Sequence, residues 1–452
     1  MSDNQFSIIK IGGNIEFTTT TGGMKMQREH WKRALAGALS VVMLAGLCSC
    51  GGGGQTGPGS KEGDDGNQTV VTMTYWNSES TVRSLLDLID EKLPDIKLEF
   101  NFVANTAYGT TTRTKLLGGN GDDIIGFPND AIPELARQGV LEDLTDLVKD
   151  FDLEEENYVD GRVYGVPMAT WYEGIYYNKE IFEENNIAVP TTYDELLDVC
   201  EKLQSIGIKP FVIGAGTAST LLKNFLGYAQ AEYMLQDEGK DFNVKFAKGE
   251  AKMADCLTPY VEQWKEIVTR GYINSNMLGI DENQAPDEFV TGVAAMWPSG
   301  TWSYNSIKQK NINLEFGLMP YLGSTPEHTS LVGTTGGGYC LNAKSKNKEA
   351  AYRVLEVIAS PEGQKALCEG NPGSSSQRKG VEMDLPEEYA LVKETIDEGR
   401  VMCSWIYWVG NGAFDGLSKA LQAIVADPSG TDVKEQLEKV DRQVESYLKS
   451  QE

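Results

Sequence analysis

The sequence predicts an α/β fold, in which open sheets of mostly parallel strands are covered by helices. Strand-like and helix-like segments alternate from Thr69 onward, which favours parallel pairing with right-handed crossovers. The same alternation restarts near residue 175 and predicts a second α/β unit. The chain has 452 residues, which is long enough for two domains with a sizeable core.

The first unit is built from three predicted strands and the helices between them. TVVTMTY (69–75) is rich in β-branched residues and reads as a buried strand. The next segment, VRSLLDLIDEKL, carries apolar residues at helical spacing and is stopped by Pro94. KLEFNFV alternates apolar and polar residues as a strand does, a short helix is predicted near 108–117, and DDIIGF is a third strand.

The second unit begins with GIYYNKEIF, which is typical of a strand running into a helix. PTTYDELLDVCEKLQSIG then predicts a helix whose start has Thr192 and Glu195 at capping-box spacing and whose end is Gly207. PFVIG predicts a further strand, and two late helices are predicted at 414–426 and 431–449. The stretch WPSGTW (297–302) reads as a loop that carries two tryptophans.

The N-terminal segment resembles a bacterial lipoprotein signal. Four basic residues in 25–33 precede the apolar run ALAGALSVVMLAGL (34–47), which is too short to span a bilayer and suits a signal peptide. The segment Leu47-Cys48-Ser49-Cys50 is similar to a lipobox, and this resemblance implies acylation at Cys50. Residues 1–23 are interpreted as a mis-start or non-native extension, 24–49 as the signal peptide and 50–68 as a flexible tether.

Charge and histidine content argue against several classes of function. The formal net charge is −26, which repels phosphate backbones and makes a nucleic-acid partner unexpected. Only two histidines are present, and His30 would be removed with the signal peptide. One remaining histidine, His328, cannot form a histidine-based metal site, so we expect no such site. We also expect no cofactor. Five cysteines follow the predicted anchor, with no CxxC, so several are expected to be buried free thiols.

Tryptophans in predicted loops or at element ends are the strongest indication of a ligand. Sugar rings have apolar C–H faces and a rim of hydroxyls, so a saccharide site needs flat aromatic platforms with polar partners around them. At least two of the tryptophans are therefore expected to line a saccharide-binding cleft. The candidates are Trp76, Trp171, Trp297, Trp302, Trp405 and Trp408.

Several segments resemble carbohydrate-specific extracellular solute-binding proteins of ABC importers, the maltose-binding-protein-like group. The segments are YGVP (164–167), YNK (177–179), PTT (190–192) and GIKP (207–210). FVTGVAAMWPSGTW is similar to the pattern F-x-x-G-x-A-A-M-x-x-x-G-x-W of that family, and GLMPYLG is similar to its crossing strand. With the lipobox, the likeness extends from Cys50 to about 365.

The resemblance implies a two-lobed periplasmic-binding-protein-like fold, with an α/β sheet in each lobe and a hinge between them. The ligand would lie between the lobes, which close on it and are then recognised by the membrane permease. It further implies a non-enzymatic receptor, expected to act as a monomer, that is held at the outer face of the cell membrane through Cys50. The implied lobes are 69–177 with 337–395, and 178–336 with 396–452.

The family pattern also assigns ligand contacts to positions of this chain. Polar contacts are implied at Asn77 and Glu79 after the first strand, and an aromatic and an acid at Phe127 and Asp130. Trp302 takes the stacking position, Trp297 supports it, and either Trp405 or Trp408 is the late aromatic. Gly337 lies in a glycine run that would let the backbone approach the ligand at the hinge.

Other functions remain open from the residues alone. Glycoside hydrolysis needs only two carboxylates, and Glu79, Asp123, Asp130 and Glu173 could supply such a pair. A structural lipoprotein with an incidental cleft, or a receptor for a different solute, is also compatible with the sequence. The family pattern does not cover GNPGSSSQRKG (370–380), so the role of residues 374–378 is left undefined.

Overall fold

The computed structural model describes residues 68–153, 157–334, 336–408 and 411–451. The predicted extension, signal peptide and lipidated Cys50 lie outside the described residues, as does the predicted tether apart from Gln68.

Strands and helices alternate along most of the described chain. The strands are β1 (Thr69–Tyr75), β2 (Ile96–Phe102), β3 (Ile124–Phe127), β4 (Val166–Pro167), β5 (Trp171–Asn178), β6 (Lys209–Phe211), β7 (Ala294–Gly300), β8 (Phe316–Met319), β9 (Tyr321–Leu322), β10 (Thr329–Thr334), β11 (Gly338–Leu341) and β12 (Val401–Met402). The helices are α1 (Arg83–Lys92), α2 (Asn105–Leu117), α3 (Ile132–Arg137), α4 (Lys179–Glu184), α5 (Tyr193–Ser205), α6 (Ala218–Ala229), α7 (Phe242–Ala247), α8 (Met253–Cys256), α9 (Thr258–Thr269), α10 (Ala285–Val290), α11 (Tyr304–Lys310), α12 (Lys348–Ala359), α13 (Pro361–Gly370), α14 (Lys393–Asp397), α15 (Asn411–Ala426) and α16 (Val433–Gln451).

The first sheet has the strand order β2-β1-β3-β11-β4. β1 pairs in parallel with β2 along its whole length and with β3 near its end. β11 inserts antiparallel between β3 and β4, although it comes from a distant part of the chain. Buried residues of α1, α12 and α13 form one hydrophobic core with this sheet.

The second sheet has the order β12-β10-β5-β7-β6, with β8 paired to β5 and β9 to β10. β5 pairs with β7 along one edge and with β10 and then β8 along the other. The largest core of the chain packs α5, α6, α9, α15 and α16 against this sheet. Each sheet therefore has its own helices and its own core, which confirms the α/β fold class. The expected parallel pairing is found between β1, β2 and β3, whereas most pairings in the second sheet are antiparallel.

Most of the elements predicted from periodicity are present close to the predicted residues. β1 spans the predicted 69–75, and its parallel pairing with β2 and β3 is the predicted one. α5 begins after Thr192, whose hydroxyl accepts a hydrogen bond from Glu195 N. The Glu195 carboxylate reaches back to Thr191 N rather than to the cap residue, which lowers the pKa of that carboxyl.

The tryptophan-rich stretch 297–302 differs from the prediction. Residues 297–300 belong to β7, a fully buried strand, and Thr301–Ser303 forms a single turn of 3-10 helix. Proline inside a strand is tolerated where one side lacks a neighbour. β6 ends opposite Met296, so the strand has no partner on that side at Pro298.

The strand pairing also bears on the lobe boundaries, which themselves stay predictions. Residues 171–177 are assigned to the first lobe by the family pattern, whereas they form most of β5 in the second sheet. Tyr389, assigned to the first lobe as well, packs with Tyr176 of β5 and is hydrogen-bonded to it. Both segments therefore pack with the second sheet.

Three of the later cysteines behave as small apolar residues. Cys200, Cys340 and Cys368 are buried free thiols. Burial raises the pKa of all three thiols, to about 11 for Cys368, because the thiolate would lose its hydration.

Candidate ligand-binding site

Two short segments connect the edges of the two sheets. Residues 168–170 join the end of β4 to the start of β5, and a second short connection leads from Thr334 of β10 to Gly338 of β11. Four peptide steps span at most about 14 Å. Pro167, Phe127 and Gly338 lie at strand ends on one side of the first sheet. This side therefore lies next to the strand ends of the second sheet that carry Trp171 and Thr334.

Hydrogen bonds hold these connecting segments together. Met168 N donates to Gly337 O at 3.0 Å. Thr170 N donates to Ser375 O at 2.8 Å, and Ser375 N donates to Thr170 Oγ1 at 2.8 Å. The sequence leaves the role of segment 374–378 undefined. Through Ser375 this segment is a third stretch of chain, beside the two connections, at the junction between the sheets.

Gly337 lies where a side chain cannot fit. Its φ of +108° is one that residues with a Cβ rarely adopt. A Cβ at this position would lie 2.2 Å from Phe127 O. The sequence analysis predicts that the backbone approaches the ligand at Gly337, whereas the close approach in this geometry is to the carbonyl of Phe127 in β3.

Three half-buried tryptophans form a cluster at the edge of the second sheet. The ring centroids of Trp171 and Trp302 are 5.7 Å apart at an interplanar angle of 65°. The rings of Trp171 and Trp405 are stacked, with 6.2 Å between centroids, and Phe414 packs edge-on to Trp405 at 5.7 Å. These residues come from β5, from the turn after β7, from the segment after β12 and from α15, so only the folded chain brings them together.

The position of Trp302 depends on a glycine. Gly300 ends β7, and a Cβ built on it would lie 2.1 Å from Cζ3 of the Trp302 ring. The ring therefore occupies the space that a side chain at position 300 would need. Since Gly300 pairs with Glu173 of β5, Trp302 lies on the same face of the sheet as Glu173 and Trp171.

The first sheet contributes a smaller polar and aromatic group at its facing edge. Trp76 follows β1, is half-buried, and packs against Tyr75 and Tyr108 with centroids 4.5 and 5.3 Å away. Asn77 Nδ2 donates to Tyr75 Oη at 3.3 Å, and the exposed Glu79 forms an ion pair with Arg83. Desolvation by surrounding protein raises the pKa of the Asp130 carboxyl, although that residue still reaches solvent.

Three of the predicted ligand contacts lie inside the hydrophobic cores. Trp297 is 5% exposed and stacks on Tyr176, with ring centroids 5.8 Å apart. Trp408 is 7% exposed and donates from Nε1 to Asn243 Oδ1 at 3.0 Å. Phe127 is 2% exposed. Each packs as a core residue does, so we leave these three out of the proposed contact set.

Two of the acids considered for hydrolysis have structural partners. Asp123 is buried and accepts hydrogen bonds from Thr72 N at 2.9 Å and Ser345 Oγ at 2.6 Å. Glu173 is also buried and forms an ion pair with Lys223. Within the described ranges, no group of three His, Cys, Asp or Glu side chains is placed to hold a metal ion.

Lys223 and Phe414 belong to the cluster but were not singled out from the sequence. Both lie on helices, α6 and α15, where the local pattern indicates a packed face and nothing more. Their neighbours in the cluster are far away along the chain, so no local spacing could have indicated the contact.

A family model described as bacterial extracellular solute-binding protein matches residues 76–365, which is more than half of the chain. This chain belongs to that family. The resemblance read from the sequence motifs is thereby confirmed. Among the described residues, no helix has both the length and the apolar character needed to cross a bilayer.

Two curated members of the family are similar to this solute-binding protein over most of its length. The multiple sugar-binding protein of Streptococcus mutans is 24% identical over 326 residues, which is 70% of this chain and 77% of the relative. The maltooligosaccharide ABC transporter solute-binding lipoprotein of Streptococcus pneumoniae is 22% identical over 343 residues, covering 73% and 77% of the two chains.

A solved structure supports the fold directly. The solute-binding protein RafE, determined in complex with raffinose, aligns with a TM-score of 0.72 at 23% identity and covers 83% of this chain and 100% of its own. This likeness confirms the two-lobed solute-binding-protein fold predicted from the resemblance.

Proposed function

We propose that this solute-binding protein is a receptor that captures a sugar or an oligosaccharide and delivers it to an ABC import permease. The observation that carries the proposal is the cluster of Trp171, Trp302 and Trp405, three half-buried indoles at the junction of the two sheets. Aromatic faces of this kind suit the C–H faces of pyranose rings. The names of the two curated relatives, one binding multiple sugars and one maltooligosaccharides, support the same ligand class.

The proposed contact set combines both edges of the junction. The second lobe would supply the stacking surfaces at Trp171, Trp302 and Trp405. The first lobe would supply Trp76 and the polar groups of Asn77, Glu79 and Asp130, with Gly337 at the crossing segment. Closure would then bring the polar groups onto the hydroxyl rim of a sugar held by the indoles.

A thermal-shift screen of mono- and oligosaccharides tests the ligand class. A ligand present at about 100 times its dissociation constant adds about 2.7 kcal/mol to the free energy of unfolding, which raises the melting temperature measurably. We expect at least one saccharide to do this, and no effect from peptides or polyamines. A response to a peptide or a polyamine with none to any saccharide would refute the proposed ligand class.

We further propose that the receptor is attached to the outer face of the cell membrane through a lipid on Cys50. The support is the lipobox-like segment that ends at this residue and the lipoprotein named among the relatives. Cys50→Ser should move the protein from the membrane fraction to the medium or the soluble fraction. Cys48→Ser, two residues away, is the matched control and should leave the protein in the membrane fraction; equal behaviour of the two variants would contradict acylation at Cys50.

A further inference from the structure

An ion pair lies directly beside the tryptophan cluster. Lys223 Nζ, reaching from α6, is 2.7 Å from Glu173 Oε2 on β5. The same ammonium lies 4.7 Å from the centroid of the Trp302 ring. The lysine of this pair therefore contacts the indole that we propose as a stacking surface.

The two partners differ in their access to solvent. The Glu173 side chain is 3% exposed, and its other oxygen, Oε1, accepts a hydrogen bond from Tyr321 Oη at 3.0 Å. The Lys223 side chain is 15% exposed. Both oxygens of the carboxylate are thus occupied inside the protein, whereas the lysine side chain keeps some access to solvent beside the Trp302 ring.

Charge and hydrogen-bonding capacity distinguish this lysine from an ordinary structural cation. An ammonium carries three donors, and the bond to Glu173 uses one of them. Burying an ion pair is rarely more stabilising than apolar packing of the same volume, so stability alone is a weak reason for placing one here. The carboxylate cancels the charge of the lysine, so that the group offers strong donors without attracting an anion.

We infer that Lys223 is a specificity-determining residue that donates a hydrogen bond to a hydroxyl of an uncharged saccharide bound against Trp302, with Glu173 holding the ammonium in place. The inference rests on the proposed function and names one further contact for it. Because the Glu173–Lys223 pair is neutral overall, the site selects uncharged sugars over sugar acids and sugar phosphates.

The test removes both charges while retaining the shapes of the side chains. The affinity of the double variant Lys223→Met/Glu173→Gln is measured by calorimetry with the saccharide that responds in the wild type. A hydrogen bond to a charged group is worth about 1.5–3 kcal/mol, so binding should weaken by about 10- to 100-fold. If this variant does not fold, Lys223→Arg keeps the pairing with Glu173 but moves the donors, and is expected to weaken binding by about 10-fold.

The matched control is a second ion pair in the same lobe. Lys209 Nζ is 2.5 Å from Glu288 Oε2, and the two side chains are 34% and 30% exposed, so this pair is partly buried but less so than Lys223 and Glu173. Lys209 pairs with Ala294 at the opposite end of β7 from Gly300, roughly 20 Å from the cluster at the rise of an extended strand. Lys209→Met/Glu288→Gln should leave the affinity unchanged.

Monodeoxy analogues of the saccharide separate direct contact from indirect positioning of Trp302. At least one analogue should bind the wild type more weakly than the parent sugar and bind the Lys223→Met/Glu173→Gln variant as well as the parent does. Unchanged affinity in the variant, or equal losses for every analogue in both proteins, overturns the inference and leaves the proposed function standing. A wild-type protein that binds no saccharide overturns the proposed function and this inference together.

Discussion

Trp302 and Trp297 belong to the same short stretch of sequence but occupy different environments. Trp297 lies within β7, points into the core and stacks on Tyr176. Trp302 follows the end of that strand and remains half-buried beside Trp171. Replacing either residue therefore tests a different property of the protein.

Trp302→Leu should weaken saccharide binding by at least about 10-fold, since an aromatic contact of about 1.5 kcal/mol corresponds to roughly that factor. The same change at position 297 removes a buried ring and should lower the melting temperature while the affinity stays as it was. Calorimetry for affinity and thermal unfolding for stability, applied to both variants, provide the comparison. Loss of affinity in Trp297→Leu alone would reverse our assignment of the two residues.

At the scale of elements, a buried carboxylate attaches the last helix to the rest of the second lobe. Asp441 of α16 is 5% exposed and accepts hydrogen bonds from Met253 N at 2.8 Å and Ala254 N at 3.0 Å, at the start of α8. Helix starts have backbone N–H groups without partners inside the helix, and Asp441 satisfies two of them.

Asp441→Ala leaves both N–H groups without their acceptor and should reduce the free energy of unfolding by about 2–3 kcal/mol. Denaturant or thermal unfolding measures the loss. Asp237→Ala removes an exposed partner of Lys240, and because the pair is screened by solvent the free energy of unfolding should stay nearly unchanged. Similar losses in the two variants would show that the anchoring bonds of Asp441 contribute little.

The sequence predicted elements well wherever local pattern and tertiary environment agree. β1, with its run of β-branched residues, and α5, with its cap at Thr192 and its single apolar face, are of this kind. The strand β7 was missed because Pro298 and Gly300 read as a turn, and only the early end of β6 makes a proline acceptable there. The contact of Lys223 with Trp302 depends on how α6 crosses the sheet, which no local spacing encodes.

At the scale of the whole molecule, the junction between the sheets depends on close backbone contacts. Gly337 has a positive φ, and a Cβ at this position would lie 2.2 Å from the carbonyl oxygen of Phe127. Thr170 and Ser375 tie two crossing segments to each other by hydrogen bonds. Movement of one lobe relative to the other must take place at or near these contacts.

Gly337→Ala should destabilise the protein by about 1–3 kcal/mol, because the new methyl group forces the crossing segment out of its position. Solution scattering should also show a smaller compaction on addition of a saccharide ligand than the wild type shows. The control is Gly109→Ala in α2, where a Cβ meets no atom within 4 Å and a helix gains about 0.5–1 kcal/mol from alanine. This account of the junction is contradicted if Gly337→Ala is as stable as the wild type and becomes as compact as the wild type when the saccharide is added.

The strand order of the first sheet has a consequence for how the chain matures. β11, which separates β3 from β4, is synthesised only after almost every strand of the other sheet has been made. Until then β3 and β4 present open backbone edges, and the helices α12 and α13 that cover this sheet do not yet exist. The N-terminal lobe therefore cannot finish folding on a nascent or translocating chain until β11 is available. A polypeptide that ends before residue 338 would keep two strand edges with unpaired backbone groups and would aggregate.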